Sequence, residues 1–217
     1  MAEPSRRALV ALTILTLVTG IVDAASVLGL GHVFTANMTG NVVFLGFALA
    51  GTGAGTIAAS LVALGSFLCG AAAGGRIARV ITARALRLGF GLSVAGLAIA
   101  SGLAATAWPE GIYLVVAMLA FAMGLRNAMI RSLGIADMTT TVLTLTLTGL
   151  AADSSLAGGS NPRWKRRVSA VIAMLLGAVL GAVLLGHSTA LTVATAAVLE
   201  AVAGMVLLGL SRRGLLG

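Results

Sequence analysis

Six long apolar runs, separated by short polar or basic joints, dominate the chain. They extend over Ala8 to Leu30, Gly55 to Gly75, Leu88 to Ala107, Gly111 to Leu133, Val168 to Leu185 and Ala190 to Leu210. Each is near the roughly 20 residues that an α-helix needs to cross the hydrocarbon of a bilayer, and none shows the period-two alternation of a barrel strand. Two further apolar segments, Met38 to Gly51 and Met138 to Leu150, have a length more typical of a re-entrant or interfacial segment than of a full crossing. The pattern predicts an all-α integral membrane protein: six transmembrane helices plus two short re-entrant half-helices, in one membrane domain over residues 1–217.

Composition agrees, since 59% of the residues are hydrophobic and 9% charged, far from the balance of a water-soluble domain. The lipid bilayer is therefore the first partner. The formal net charge of +8 comes from clusters in the joints: Arg6 and Arg7; Arg76, Arg79, Arg84 and Arg87; Arg163, Lys165, Arg166 and Arg167; Arg212 and Arg213. If the six long runs cross and the two short ones do not, all four clusters fall on one side, which the positive-inside rule makes the cytoplasm. Crossing by both short segments would instead put the Arg76 to Arg87 cluster outside. The expectation is a multi-pass protein of the bacterial cytoplasmic (inner) membrane with both termini inside, and no nucleic-acid partner. Arg6 and Arg7, the following apolar run and "DAAS" imitate a signal peptide, but the apolar character continues through Leu30, so this run is read as the first span. Cys69, the single cysteine, excludes an intrachain disulfide.

The two halves of the chain echo one another. "GIVDAASVLGLGHVFTANMTGN" from Gly20 aligns with "GLRNAMIRSLGIADMTTT" from Gly124 with a gap of four residues, placing Asp23 on Asn127, Asn37 on Asp137, Met38 on Met138 and Thr39 on Thr139. Gly70 and Gly74 are mirrored by Gly177 and Gly181, both at the GxxxG spacing that lets helices approach closely. The halves would enter the membrane in opposite orientations, a 3+3 inverted-topology repeat with residues 8–107 as the first unit and 111–212 as the second.

The polar motifs follow from that arrangement. Irregular backbone at membrane depth survives only inside protein or beside water, so "FTANMTGN" and "IADMTTT" must face inward. Thr35 and Asn37, and Asp137 and Thr139, stand where a helix would begin and can accept bonds from its first N–H groups. Two half-helix N-termini meeting near the midplane, each with about half a positive charge, make a site for a polar or anionic group. The candidate solute-binding residues are Asn37, Thr39, Gly40, Asn41, Asp137, Thr139, Thr140 and Thr141. Asp137, Thr141, Thr144 and Thr148 fall on one helical face as a polar stripe, although threonines in membrane helices also bond back to their own backbone.

Asp23, Arg126 and Glu200 are ionisable groups inside spans, where a charge costs about 2.5 to 3.5 kcal/mol unless it finds a partner or water. They are the candidates for charge or proton coupling, with Glu200 also open to a structural role paired with Arg126. His32 and His187 lack neighbours at metal-ligand spacing, so no metal is indicated; no cofactor motif and no catalytic constellation is legible either.

"GIVDAASVLGLGHVFTANMTGNVVFLG" together with "GIADMTTTVLTLTLTGLAAD" resembles the YoaK-type family of bacterial six-span membrane proteins, a domain of unknown function. The resemblance implies fold and compartment and names no activity. The residues themselves point to a small secondary transporter or channel for a small-molecule solute, polar or anionic. A membrane enzyme or flippase acting on a lipid-linked phosphate, and a non-catalytic assembly component, are the alternatives. The GxxxG pairs would also serve a homo-oligomer.

Overall fold

The computed structural model describes residues 4–52, 56–79, 83–106, 111–134 and 143–211. The described residues form eight α-helices: α1 (Arg6–Gly29), α2 (Met38–Leu49), α3 (Ile57–Ala78), α4 (Ala83–Ala105), α5 (Ile112–Ser132), α6 (Leu143–Ala152), α7 (Trp164–Leu185) and α8 (Thr189–Ser211), with a 3-10 turn at Ser155–Ala157. The six long helices are apolar and long enough to cross a membrane; α2 and α6 are the two short ones. Side-chain oxygens of Ser5, Thr56 and Ser188 accept from Ala8, Ala59 and Leu191 N–H at the starts of α1, α3 and α8, relieving amides that have no partner within their helices. Helices α4 and α7 begin several residues before the apolar runs do, at Ala83 and Trp164. Arg84, Lys165 and Arg166 thus belong to first turns, where long side chains can reach out of an apolar layer along their own methylenes.

Helix α1 is the centre of the bundle, packed on α7 and α8 and touching α5; α5 in turn packs on α3 and α4, and α4 on α8. The short helices lie outside, α2 on α3 and α6 on α7. Two parallel pairs are brought together by glycines. A Cβ on Gly70 or Gly74 of α3 would overlap the carbonyls of Phe121 or Leu125 of α5, and one on Gly124 would overlap Phe67. In the other pair, Gly177 and Gly181 of α7 lie against Leu17 and Ile21 of α1, and Gly20 against Met174 and Ala178. Both GxxxG sets are therefore consumed in contacts within the chain, where backbone meets backbone because no side chain intervenes.

Helix α4 packs antiparallel on α8 and α5, and α1 antiparallel on α8. Phe90, Ser93 and Ser101 of α4 meet Gly204, Glu200 and Ala190 of α8 in reverse order, and Gly89 and Gly96 meet Met129 and Ala122 of α5. Gly29 at the end of α1 adjoins Thr189 at the start of α8, while Arg6, Arg7 and Val10 adjoin Met205, Gly209 and Leu210. Helix α3 consequently starts at the end of the bundle where α1 finishes. The outward faces carry large apolar side chains such as Leu68, Ile99, Leu175, Val179, Val183 and Val198, a surface suited to lipid.

Candidate functional site

Beyond α1 the backbone turns back along it. Leu30 closes the helix through a bond from its N–H to the Ser26 carbonyl, and His32 has φ 56°, the left-handed conformation that reverses the chain. Asp23 Oδ1 accepts from the N–H groups of Thr35 (3.2 Å) and Ala36 (2.9 Å). Asp23 precedes Leu30 by seven residues, so the chain returns about 10 Å along α1 before α2 begins, at 1.5 Å rise per residue. The Thr35 hydroxyl lies 3.5 Å from that of Ser26, itself bonded to the Asp23 carbonyl.

The motif residues divide by role. Asn41 is fully buried and holds the turn: its Oδ1 accepts from Phe34 N–H (2.8 Å) and its Nδ2 donates to the Phe34 carbonyl (2.6 Å). Gly40 lies under the Phe34 ring, which fills the space a Cβ would take and stacks on Phe44 with centroids 5.7 Å apart. Asn37 occupies the cap position of α2, half-buried, but its side chain makes no capping bond, contrary to the sequence expectation. The Asp23 carboxylate, supplied from α1, serves the amides just ahead of it instead. Thr39 points outward and is exposed. Asp137, Thr139, Thr140 and Thr141 lie outside the described residues. Of the predicted threonine stripe, Thr148 donates back to the Thr144 carbonyl at 2.9 Å.

Arg126 and Glu200 meet in the middle of the bundle, both with no exposed surface, at 3.2 Å. The other guanidinium nitrogen of Arg126 donates to Thr19 Oγ1 at 2.6 Å, and the Ser93 hydroxyl lies between the second Glu200 oxygen and the Ala122 carbonyl, 3.1 Å from the latter. One cluster thus ties α1, α4, α5 and α8. Thr19 and Ser93 escaped the sequence reading because a lone hydroxyl in an apolar run resembles any helix-packing residue; Thr19 standing four positions before Asp23, on the same face, was the available signal. Asp23 does not pair with Arg126. Two atoms in this region, Asp23 Oδ2 and Arg126 Nε, are buried without a hydrogen-bond partner.

A second ion pair, Arg167 with Asp153 at 2.7 Å, ties the start of α7 to the end of α6, where Arg167 also donates to the Gly149 carbonyl. Among the described residues no three His, Cys, Asp or Glu side chains gather as a metal site.

The chain is 35% identical over 148 residues to the UPF0700 transmembrane protein YoaK of Bacillus subtilis (strain 168). That alignment spans 66% of this chain and 66% of the relative, just under two thirds of the relative's own length. No solved structure matches. The family model described as "Protein of unknown function (DUF1275)" matches residues 11–206, nearly the whole described bundle, and the chain belongs to that family of membrane proteins.

Proposed function

We propose that this protein is a small secondary transporter or channel of the bacterial cytoplasmic membrane, built as two inverted halves, that carries a small polar or anionic solute. The observation that supports the reading is the return of the chain along α1 to the level of Asp23, about 10 Å short of the end of that helix, just ahead of α2. Backbone at that depth needs protein partners for its amides, and Asp23 and Asn41 supply them. On this reading α2 is re-entrant, consistent with α1 ending and α3 starting at the same end of the bundle, and α6 is its counterpart.

The pattern of neighbours supports the repeat. Helix α1 packs on α7 and α8 as α5 packs on α3 and α4, and α2 lies on α3 as α6 lies on α7. Glycines at matching positions, Gly20 with Gly177 and Gly181 in one pair and Gly124 with Gly70 and Gly74 in the other, join the two parallel pairs. The chain of antiparallel contacts α1 to α8 to α4 to α5 makes α1 and α5 run oppositely, as inverted halves would. Two related halves around one site offer the two nearly equivalent states that alternating access uses.

In this proposal the solute lies between the start of α2 and the second motif. Asn37, whose amide is not spent on capping, contributes from the first side, and Asp137, Thr139, Thr140 and Thr141 contribute from the second. Asn41 and Gly40 act through the shape of the turn. The enzyme alternative is weakened because Arg126, its phosphate binder, is closed off by Glu200 and Thr19. The assembly alternative is weakened because the GxxxG faces are already occupied.

Reconstitution in liposomes tests the proposal. A panel of small polar and anionic solutes should include one that enters protein-containing vesicles, and Asn37→Ala should abolish that flux with folded yield unchanged. Phosphate release from a polyprenyl phosphate without solute flux would favour the enzyme instead.

A further inference from the structure

The centre of the bundle holds an unequal set of charges. Among the described residues the buried ionisable side chains are Asp23, Arg126, Arg167 and Glu200. Arg167 lies in the first turn of α7 and has Asp153 for its charge. Arg126 lies against Glu200, whose two oxygens face a guanidinium nitrogen and the Ser93 hydroxyl. Asp23 is left, 5% exposed, with no cation bonded to it. Its Oδ1 takes the amide hydrogens of Thr35 and Ala36, the Asn37 amide is the next N–H toward the carboxyl, and its Oδ2 is buried without a hydrogen bond. An ionised carboxylate oxygen enclosed in protein without a donor is costly, far more so than an enclosed neutral hydroxyl.

The surroundings restrict what can neutralise it. On α5 the charged group nearest along the bundle is Arg126, bonded to Thr19 one turn below Asp23 and to Glu200 of α8; its Nε is unbonded, and no nitrogen of it bonds Asp23. The ionisable residues of α7, Lys165, Arg166 and Arg167, are in its first turn, whereas Asp23 lies toward the opposite end of that parallel helix pair. His32 in the turn and His187 between α7 and α8 are exposed. An alkali ion needs several oxygen ligands, whereas the groups bonded to this carboxyl are the amide hydrogens of Thr35 and Ala36; a proton needs only the free Oδ2.

We propose that Asp23 carries one proton on Oδ2 inside the bundle and that this proton is the coupling ion of the transporter. The second half rests on the transport reading; the first half does not. Loading forms one O–H bond, with the proton drawn from water on the side to which the site is open and returned to water on the other. Because the same carboxyl holds the amides of Thr35 and Ala36, an exchange of the proton changes its grip on the start of α2. Proton occupancy and the position of the half-helix are thereby linked through one side chain.

Infrared spectroscopy of the full chain in lipid nanodiscs tests this without any solute. The chain has three aspartates, Asp23, Asp137 and Asp153, and exposed carboxyls are ionised at neutral pH. At neutral pH the proposal expects a carboxylic-acid C=O band that shifts when aspartate, and not glutamate, carries a 13C carboxyl. The band should vanish completely in Asp23→Asn and persist in Glu200→Gln and in His32→Asn. Should Asp23→Asn fail to fold, labelled Asp137→Asn decides: a surviving band supports Asp23, and its loss overturns the assignment. Absence of an aspartic-acid band, its survival in folded Asp23→Asn, or its appearance only when choline replaces sodium would also overturn the proposal. A band without flux in any solute would leave the proton site standing and remove the transport reading. Proton-independent flux without a band would do the reverse.

Discussion

Thr19 and Asp23 stand one turn apart on α1, yet the polar groups gathered around them hold the molecule together in different ways. At Asp23 and Asn41 the partners are backbone amides and a carbonyl of a single turn, so these side chains stand in for the secondary structure that the turn lacks. Around Thr19 the partners are other side chains on three further helices, and what is satisfied is a pair of opposite charges. The first arrangement shapes one segment; the second joins the bundle. Polar residues of similar burial therefore differ in how far their loss should propagate, and substitution can expose that difference.

The largest effect is expected from Arg126→Leu. It leaves Glu200 buried beside Ser93 without its cation, and breaking such a pair costs about 3 to 5 kcal/mol. The check is unfolding of the purified protein in detergent: the whole transition should move, and Arg126→Leu combined with Glu200→Leu should recover much of the loss. If the double variant is no better than the single, the cluster is not held by charge pairing.

Asp23→Ala should be smaller and local. Two amides lose their acceptor, at about 1 to 3 kcal/mol for each group that stays buried and unpaired. Hydrogen exchange should quicken across residues 34–41 while α5 and α8 keep their protection. Equal loss of protection in α8 would erase the distinction between the two regions. Least of all should follow from Thr39→Val, an exposed position on the outward side of α2: its effect on the unfolding transition should stay within about 0.5 kcal/mol. A substantial shift there would mean that the outward face of α2 has a partner.

Much of the fold was legible because the bilayer makes length and apolarity decisive. Apolar runs such as Val168 to Leu185 locate α7, and the shortness of Met38 to Gly51 sets α2 apart from the long helices. Helix starts were less legible, as α4 and α7 show, because arginines and lysines in a first turn look like loop residues to a hydropathy reading while still being helical. The candidate motif was found by its polarity, but its internal roles were not. Asn41 and Asn37 are the same residue type four positions apart, yet in the folded turn one clamps Phe34 while the other makes no capping bond.

The residues by themselves determined that this chain belongs in lipid, how many helices are long enough to cross it, and where glycines permit close packing. These are properties of single segments and of their solvent, so they can be read without knowing any neighbour. Tertiary structure alone decided that Gly70 and Gly74 meet α5 while Gly177 and Gly181 meet α1, that Glu200 rather than Asp23 receives Arg126, and that Ser93 and Thr19 complete the cluster. Pairings across more than a hundred residues depend on helix order and rotation, which follow from the packing of all the faces at once and are written in no one segment.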